Sequence, residues 1–205
     1  MANTTVDWNS IADQAGKAKG KDDLVFLNSK NLPQVFLPGP SIETYENVYD
    51  DVTKKSRAPV AGDTKVQKNY LFYGLFLGAG EEQIVKICWA KSQVVEGIGA
   101  ALKSFRNAAP QFDSNIKADD FITFVQVTST GSGLGTEYKV EVVKKTKNIV
   151  PTAIWQKGAI LEKIKLLPTL SDMRDRLLGI KKEEVVASAG GVGGSVSKLD
   201  NSFEL

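Results

Sequence analysis

The stretch from Tyr70 to Leu77 constrains the fold most, because it alternates two sets of apolar side chains. Successive residues of a β-strand point to opposite faces, so this stretch predicts a strand that is apolar on both sides. One face carries Tyr70, Phe72 and Phe76, and the other carries Leu71, Tyr73, Leu75 and Leu77. Such a strand either lies between two layers of structure or shows one set of rings to a ligand, and the pattern alone leaves both interpretations open.

A hairpin and a helix are predicted directly after this strand. Turn-forming residues 78–82 separate it from a second apolar stretch, Gln83–Ala90, which we interpret as the returning strand. Ser92 is a suitable N-cap for a helix whose apolar residues recur every three or four positions, namely Val94, Ile98, Ala101, Leu102 and Phe105. Gly97 and Gly99 lie within this helix, and such glycines indicate a close approach of the helix to the sheet.

Two further strands complete the pattern. Residues Phe121–Thr128 and Tyr138–Val143 are rich in β-branched and aromatic side chains, and the glycine-rich residues 129–136 join them as a hairpin tip. Strands that surround a single helix and end in a hairpin follow the order of a five-stranded OB barrel, a fold that binds oligonucleotides. The predicted fold is therefore mainly β (α+β), an OB-like barrel with one intervening helix and additional C-terminal helices.

The hairpin sequence VTSTGSGLGTEYKV, at residues 127–140, resembles a hairpin of bacteriophage single-stranded-DNA-binding proteins of the OB-fold type, distant relatives of the T4 helix-destabilising protein. Residues 81–102 are similar to the strand and helix that precede this hairpin in the family, and residues 25–49 to its opening strands. The chain differs from the family pattern at Gly135, where an acidic residue is common, and in lacking a zinc-binding Cys/His cluster. The resemblance implies single-stranded DNA binding in phage replication or recombination.

Positive charge is concentrated next to the aromatic strand. The chain has a net charge of only +2, but residues 52–110 hold nine Lys or Arg against four acidic residues. Five of these cations lie in the polar connection that runs from Asp50 into the strand. Cations beside exposed rings suit non-specific single-strand binding, because they contact phosphates while bases stack on the rings, at ~1–3 kcal/mol per base.

We therefore predict a nucleic-acid-binding groove between this connection and the aromatic strand. Its candidate residues are Lys54, Lys55, Arg57, Lys65, Lys68, Tyr70 and Phe72, with Trp89 as a further ring and Lys86, Lys91, Lys139 and Lys144 at the rims. Two structural alternatives remain. The connection also fits a solvated loop beside a buried strand, and Trp89 also fits a core position because Val85 and Ile87 share its face.

The remaining sequence predicts appendages around one domain. We divide the chain into an N-terminal arm (1–23), an OB domain (24–149), a helical extension (150–186) and a flexible Gly/Ser-rich tail (187–205). Prolines at 33, 38 and 40 predict two short strands confined to edges and turns within residues 24–49. The connection at 50–68 is expected to be an unstructured loop.

Two helices are predicted in the extension, packed on the barrel or on a second copy. One covers residues 151–167, and the other is capped by Ser171 and ends at Gly179. The final residues, DNSFEL, resemble weakly the acidic, aromatic tip that recruits replication proteins, and we favour the interpretation of an ordinary frayed terminus.

The composition argues against catalysis. The chain has no histidine, so Ser-His and Cys-His nucleophiles are excluded. Its single cysteine, Cys88, is expected to be a small buried apolar residue, and Gly131–Gly135 lacks the spacing of a dinucleotide or P-loop motif. We predict a non-enzymatic protein without cofactor or metal.

The expected localisation and partners follow from the same sequence. Without a secretory signal or a membrane-length apolar run, we expect a cytoplasmic protein, in the host cell if it is viral. Single-stranded DNA is the expected partner, and a homo-oligomer is compatible with the sequence. The alternative is a virion or assembly protein whose aromatic side chains are buried in subunit contacts.

Overall fold

The computed structural model describes residues 23–108, 117, 119–131, 135–143 and 149–180. The strands in these residues are β1 (Leu24–Phe26), β2 (Gln34–Asp50), β3 (Lys55–Arg57), β4 (Val66–Leu77), β5 (Gln83–Lys91), β6 (Phe121–Thr123), β7 (Val125–Thr130), β8 (Glu137–Val142) and β9 (Ile149–Pro151). The helices are α1 (Ser92–Ala108), α2 (Gly158–Lys165) and α3 (Leu170–Leu177), with 3-10 turns at Ala79–Glu81 and Thr152–Gln156. Residues 1–22 of the predicted arm, residues 132–134 of the predicted hairpin tip and the whole predicted tail at 187–205 lie outside the described residues.

Seven of these strands form one curled sheet. Its order is β1-β5-β4-β2-β7-β8, and β3 pairs with β2 beside this path. The β1–β5 pair is parallel and the other pairs are antiparallel, while β6 and β9 form a separate pair. A curled sheet with one helix between β5 and β6 confirms the predicted OB-like α+β fold.

Strand β4 lies between two layers over most of its length. Phe72 packs in a core with Val94 and Ile98 of α1, and we call this side of the sheet the α1 face. On the opposite side, the outer face, Leu75 packs with Ile160 of α2, and Leu71 packs with residues of α3. Strand β4 therefore contributes side chains to a core on each side of the sheet, which explains why both of its side-chain sets are apolar.

Helix α1 approaches the sheet closely at one of its two predicted glycines. It begins at Ser92 itself, one residue before the start that the predicted N-cap at Ser92 would give. A Cβ atom added to Gly97 would lie 2.8 Å from Cγ2 of Val140 in β8, closer than side-chain carbons approach each other. Gly99 has open space around its Cα, so the expected close approach was wrong at that position.

Strand β2 is a single strand of 17 residues that continues through Pro38 and Pro40, so the prediction of a short strand ended by these prolines was wrong, although Pro33 does lie between β2 and the short strand β1. Its first residues, Gln34–Phe36, pair with β7, Leu37 and Pro38 pair with β4, and the pairing with β4 resumes at Ile42 after a register shift. A missing amide donor is tolerated at such an irregularity. Gly39 suits the same bend, because a Cβ there would lie 2.8 Å from the Tyr73 carbonyl oxygen.

The predicted helix over residues 151–167 was wrong in its first half. Ile149–Pro151 pairs with β6, a 3-10 turn follows, and α2 begins only at Gly158. Buried Ile154 and Trp155 of the turn still pack with α2 in the core on the outer face. The apolar spacing thus reports burial correctly, but Pro151 pairs as a strand residue and the 3-10 turn takes residues 152–156 in place of the first helical turn.

Helix α3 completes the outer layer. Its N-cap is Thr169 and not Ser171, because the Thr169 hydroxyl accepts a hydrogen bond from the Asp172 amide at 3.1 Å. Gly179, with a φ of 69°, follows the helix end as predicted. Arg174 reaches Glu43 of β2 at 2.6 Å, so the extension packs on the barrel, one of its two expected locations. Among the described residues, no helix combines the length and apolar character required to cross a membrane.

Candidate nucleic-acid interface

The C-terminal half of β2 pairs with β3 on one side and β4 on the other, and we call these three strands the ribbon. Val48–Asp50 of β2 lie opposite Lys55–Arg57, and Ile42–Val48 lie opposite the first half of β4. The expected unstructured loop at 50–68 was therefore wrong in part, because it contains β3 and the start of β4. The register of the ribbon now decides which predicted site residues share a face.

Four of the predicted site residues project from one face of the ribbon. Directly opposite residues of an antiparallel pair point to the same side. The residues of β2 opposite these four are all even-numbered and so share one face, since side chains alternate along a strand. The pairs are Lys55 with Asp50, Arg57 with Val48, Lys68 with Glu46 and Tyr70 with Thr44. We call this surface the ribbon face; it continues the α1 face beyond the core.

Lys68 and Tyr70 form the centre of the ribbon face. The Lys68 Nζ lies 5.6 Å from the centroid of the half-buried Tyr70 ring, within the range of a cation–π contact. Exposed Lys54, Lys55 and Lys65 lie in or beside the ribbon, and within the described part of the chain none of these lysines forms an ion pair. The arrangement combines a ring with several unpaired cations.

Arg57 differs from these lysines because its charge is already bound. Its guanidinium donates two hydrogen bonds to the Asp63 carboxylate, both at 2.7 Å, and a third to the Ala58 carbonyl at 3.0 Å. Asp63 also accepts from the Val60 amide at 2.7 Å, and the Arg57 bonds lower the pKa of Asp63 to about 2. Arg57 therefore closes the loop between β3 and β4, and the prediction that it is a free phosphate contact needs this correction.

The turn between β2 and β3 is set by Asp50. Its Oδ1 accepts hydrogen bonds from the amides of Val52 at 2.8 Å and Thr53 at 3.2 Å, and bonding to Thr53 is the main reason that its pKa is lowered. Lys54 then takes a left-handed conformation, with a φ of 55°. An aspartate that bonds amides two and three residues ahead is a turn signal that sequence inspection overlooked. It places Lys54 and Lys55 at the end of the ribbon.

Phe72 and Trp89 do not offer exposed rings on the ribbon face, since Phe72 is buried and Trp89 is half-buried on the other side of the sheet. Phe72 is 4% exposed and its ring centroid lies 6.0 Å from that of Phe36, so the prediction that it stacks on bases was wrong. Trp89 lies on the outer face, where its Nε1 donates to the Tyr45 hydroxyl at 3.0 Å and its ring lies 5.5 Å from that of Phe26. The alternative interpretation of Trp89, as a residue that packs against the core, therefore agrees with these contacts.

The predicted rim lysines are dispersed. Lys86 lies opposite Gly74, four residues along β5 from the partner of Tyr70 and so about 13 Å away at ~3.3 Å per residue. Lys91 lies opposite Asn69 and points to the outer face. Lys139 forms an ion pair with Glu141 at 3.0 Å on β8, and Lys144 lies outside the described residues. The structure does not join Lys86, Lys91 or Lys139 to the ribbon face.

Buried amides behind the ribbon face were missed by sequence inspection. Asn69, 1% exposed, donates from Nδ2 to Oδ1 of Asn47 at 2.5 Å, and Asn47 donates to the Ser56 hydroxyl at 2.8 Å. These bonds join β4, β2 and β3 on the outer side of the ribbon. Asparagine at two positions of apolar strands was the available signal, since strands are depleted in this residue. The chain of bonds holds the three strands in one register.

Comparisons with known proteins add no constraint to this geometry. No family model matches the chain, no curated protein matches its sequence, and no solved structure matches its fold. The function is therefore inferred from the residues themselves.

Proposed function

We propose that this protein binds single-stranded DNA without sequence specificity through the ribbon face. The observation that carries the proposal is the strand register, which collects Lys55, Lys68 and Tyr70 on one face with Lys54 and Lys65 beside them. A groove that binds single strands needs cations along the backbone and rings for bases, and the ribbon face supplies both.

The mechanism is electrostatic tracking combined with stacking. The four unpaired lysines displace counterions from phosphates, which supplies affinity without reading the sequence. Tyr70 offers its ring to a base, and every base can stack on a ring, so this contact is also sequence-tolerant. Because Lys68 lies beside the ring, one nucleotide can contact both residues at once.

The setting that we propose is phage DNA replication or recombination. It is supported by the resemblance of residues 127–140, together with the OB-like sheet. The protein would protect single-stranded intermediates in the host cytoplasm as a non-catalytic component, and its C-terminal residues would recruit replication proteins.

Fluorescence anisotropy of a labelled oligo-dT, with a matched duplex as competitor, tests the proposal. An external label is preferable, because Trp155 is buried and Trp89 lies on the outer face away from Tyr70. We expect tight binding of the single strand alone, with log K falling by about 0.7 per phosphate contacted for each decade of salt. Equal affinity for duplex, or no binding at low salt, would contradict the proposal.

Charge-removing variants locate the site in the same assay. Lys54→Gln combined with Lys55→Gln should weaken binding and reduce the salt slope by about 1 to 2 phosphate equivalents. The matched control is Lys103→Gln with Lys157→Gln, which removes two exposed lysines outside the ribbon. An equal loss in both double variants would show that total charge and not the ribbon face determines affinity.

A role in virion assembly is the second candidate, and one observation favours it. Ile42 and Val66 project from the ribbon face and are 51% and 42% exposed. In an assembly protein these side chains would be buried against another subunit. That function predicts a protein complex and no binding of oligo-dT in the assay above.

A further inference from the structure

Strand β8 forms an edge of the curled sheet. Among the described residues it pairs only with β7, and the order of strands ends with it. An edge strand carries a row of unpaired amides and carbonyls, which proteins either protect or use for pairing with another chain.

The outward-directed backbone groups of β8 can be identified from its ladder. The Val143 amide donates to the Phe124 carbonyl at 2.8 Å, immediately after the Val125–Val142 pair. Hydrogen-bonded pairs alternate with non-bonded pairs in an antiparallel ladder. The odd-numbered residues of β8 therefore bond β7, and Tyr138, Val140 and Val142 direct their amides and carbonyls away from the sheet.

The exposed side chains of β8 alternate in sign. Glu137, Lys139 and Glu141 point outward, and the side chains of Lys139 and Glu141 are 70% and 59% exposed. A charged edge normally prevents pairing. An edge that carries both signs at a spacing of two residues repels itself in some registers and attracts itself in others.

We propose that two copies of this chain join through β8, antiparallel about a two-fold axis at Val140, so that the sheet continues from one copy into the other. In this register Lys139 of each copy lies opposite Glu141 of the other, and Tyr138 lies opposite Val142. The outward backbone groups of both strands then meet as hydrogen-bonded pairs. Oppositely charged residues that face each other across strands are stabilising, and an isologous contact of this kind is the usual basis of homodimers.

Other registers fit less well. An axis at Lys139 places Lys139 opposite its own copy, and an axis at Glu141 does the same for that carboxylate. An axis at Tyr138 pairs Lys139 with Glu137. This register, however, moves the second strand away from a groove that lies between α1 and the C-terminal end of β8. A shift by one residue in the pairing sets charged side chains against apolar ones.

That groove provides space for the added strand. It has a volume of about 660 Å³ and lies between α1 and β8, lined by Ala101, Ser104, Gln126 and residues 140–143. Ala101 and Ser104 are small, so the α1 side leaves room for the inward-facing side chains of a second β8. A strand inserted between an edge strand and a helix is a recurrent mode of recognition.

Sedimentation velocity of the full chain without nucleic acid tests the inference, and its result is independent of the proposed DNA binding. We expect a dimer whose population rises with protein concentration. Lys139→Glu and Glu141→Lys should each weaken dimerisation by about tenfold or more, since like charges then face each other. The double variant Lys139→Glu with Glu141→Lys should restore it, while Lys157→Glu, an exposed control outside β8, should leave it unchanged.

A backbone variant provides a second test. Val142→Pro removes an amide that points away from β7, so the internal ladder keeps its bonds while the contact between copies loses a donor. We expect a folded monomer by circular dichroism and sedimentation. A wild-type monomer at every concentration would overturn the inference, as would a dimer unaffected by Val142→Pro and by both single charge reversals.

Discussion

Arg57 and Asp63 form a doubly hydrogen-bonded ion pair that closes the loop between β3 and β4, with both N–O distances at 2.7 Å. The pair lowers the pKa of Asp63 from 3.8 to about 2. Because the pKa of Asp63 is lowered in the folded protein, its ion pair stabilises the closed loop at pH values above the ordinary pKa of 3.8. This contribution is lost as the pH falls through about 2. We expect an NMR titration of Asp63 to show this depressed pKa in the wild type. In Arg57→Gln it should return toward 3.8, and an unchanged pKa would show that Arg57 is not the cause.

Tyr70→Ala should weaken binding of oligo-dT by about 5- to 150-fold, the effect of losing one stacked base. Tyr49→Ala is the matched control, because Tyr49 is 43% exposed but lies at an odd-numbered position of β2, on the opposite side of the ribbon. Anisotropy titrations of both variants measure the difference. Equal losses would move the binding surface off the ribbon face.

Phe72→Ala should lower the free energy of unfolding by about 3–5 kcal/mol, because the ring is buried in the core beneath α1. Phe72→Leu keeps most of the apolar volume, so it should fold and retain the wild-type affinity for oligo-dT. Urea unfolding measures the first effect and anisotropy the second. A folded Phe72→Leu protein with impaired binding would return Phe72 to the site.

Two glycines of α1 should respond oppositely to alanine. Gly97→Ala introduces a Cβ 2.8 Å from the stiff Val140 side chain, and overpacking of this kind costs about 1–3 kcal/mol. Gly99→Ala meets no neighbour, so the higher helix propensity of alanine should stabilise the protein by up to about 1 kcal/mol. Urea unfolding of the two variants measures both changes. Destabilisation by both would indicate that α1 lies closer to a neighbour at Gly99 than described.

Cys88 should report unfolding. Its side chain is fully buried and burial raises the pKa of the thiol, so both access and thiolate formation are suppressed in the native state. We expect reaction with a thiol reagent at a rate set by opening of the core, and Phe72→Ala should accelerate it. Rapid labelling of the native wild type would contradict this burial.

The strands were predictable from the sequence because their signal is local. Alternation identified Tyr70–Leu77 and the returning strand, and the structure places both within β4 and β5. Alternation also assigned Tyr70 and Phe72 to one face. It carries no information on depth along the strand, however, so a core residue and a residue of the ribbon face looked equivalent.

The remaining errors concern pairing between residues that neither composition nor alternation reveals. The count of charges treated Arg57 as a free cation. Its partner Asp63 lies only six residues away, but the two side chains meet because the loop between them folds back. The prolines of β2 suggested strand ends, yet the strand continues because it changes partner there. Whether Lys91 and Tyr70 share a face also depends on the hairpin register, which puts them on opposite sides.

Strand β2 is tied to the barrel and to α3 over much of its length, and to β3 at its far end. Gln34–Phe36 pair with β7, Glu43 forms an ion pair with Arg174 of α3, and Val48–Asp50 pair with β3. Removing two residues from each of β2 and β4 at the far end of the ribbon would shorten the ribbon by about 7 Å. Every remaining side chain would keep its face. Removing one would reverse the faces of the shortened strand beyond the deletion. The far end of the ribbon can thus change length in steps of two residues without reversing the side chains that pack against the barrel and α3.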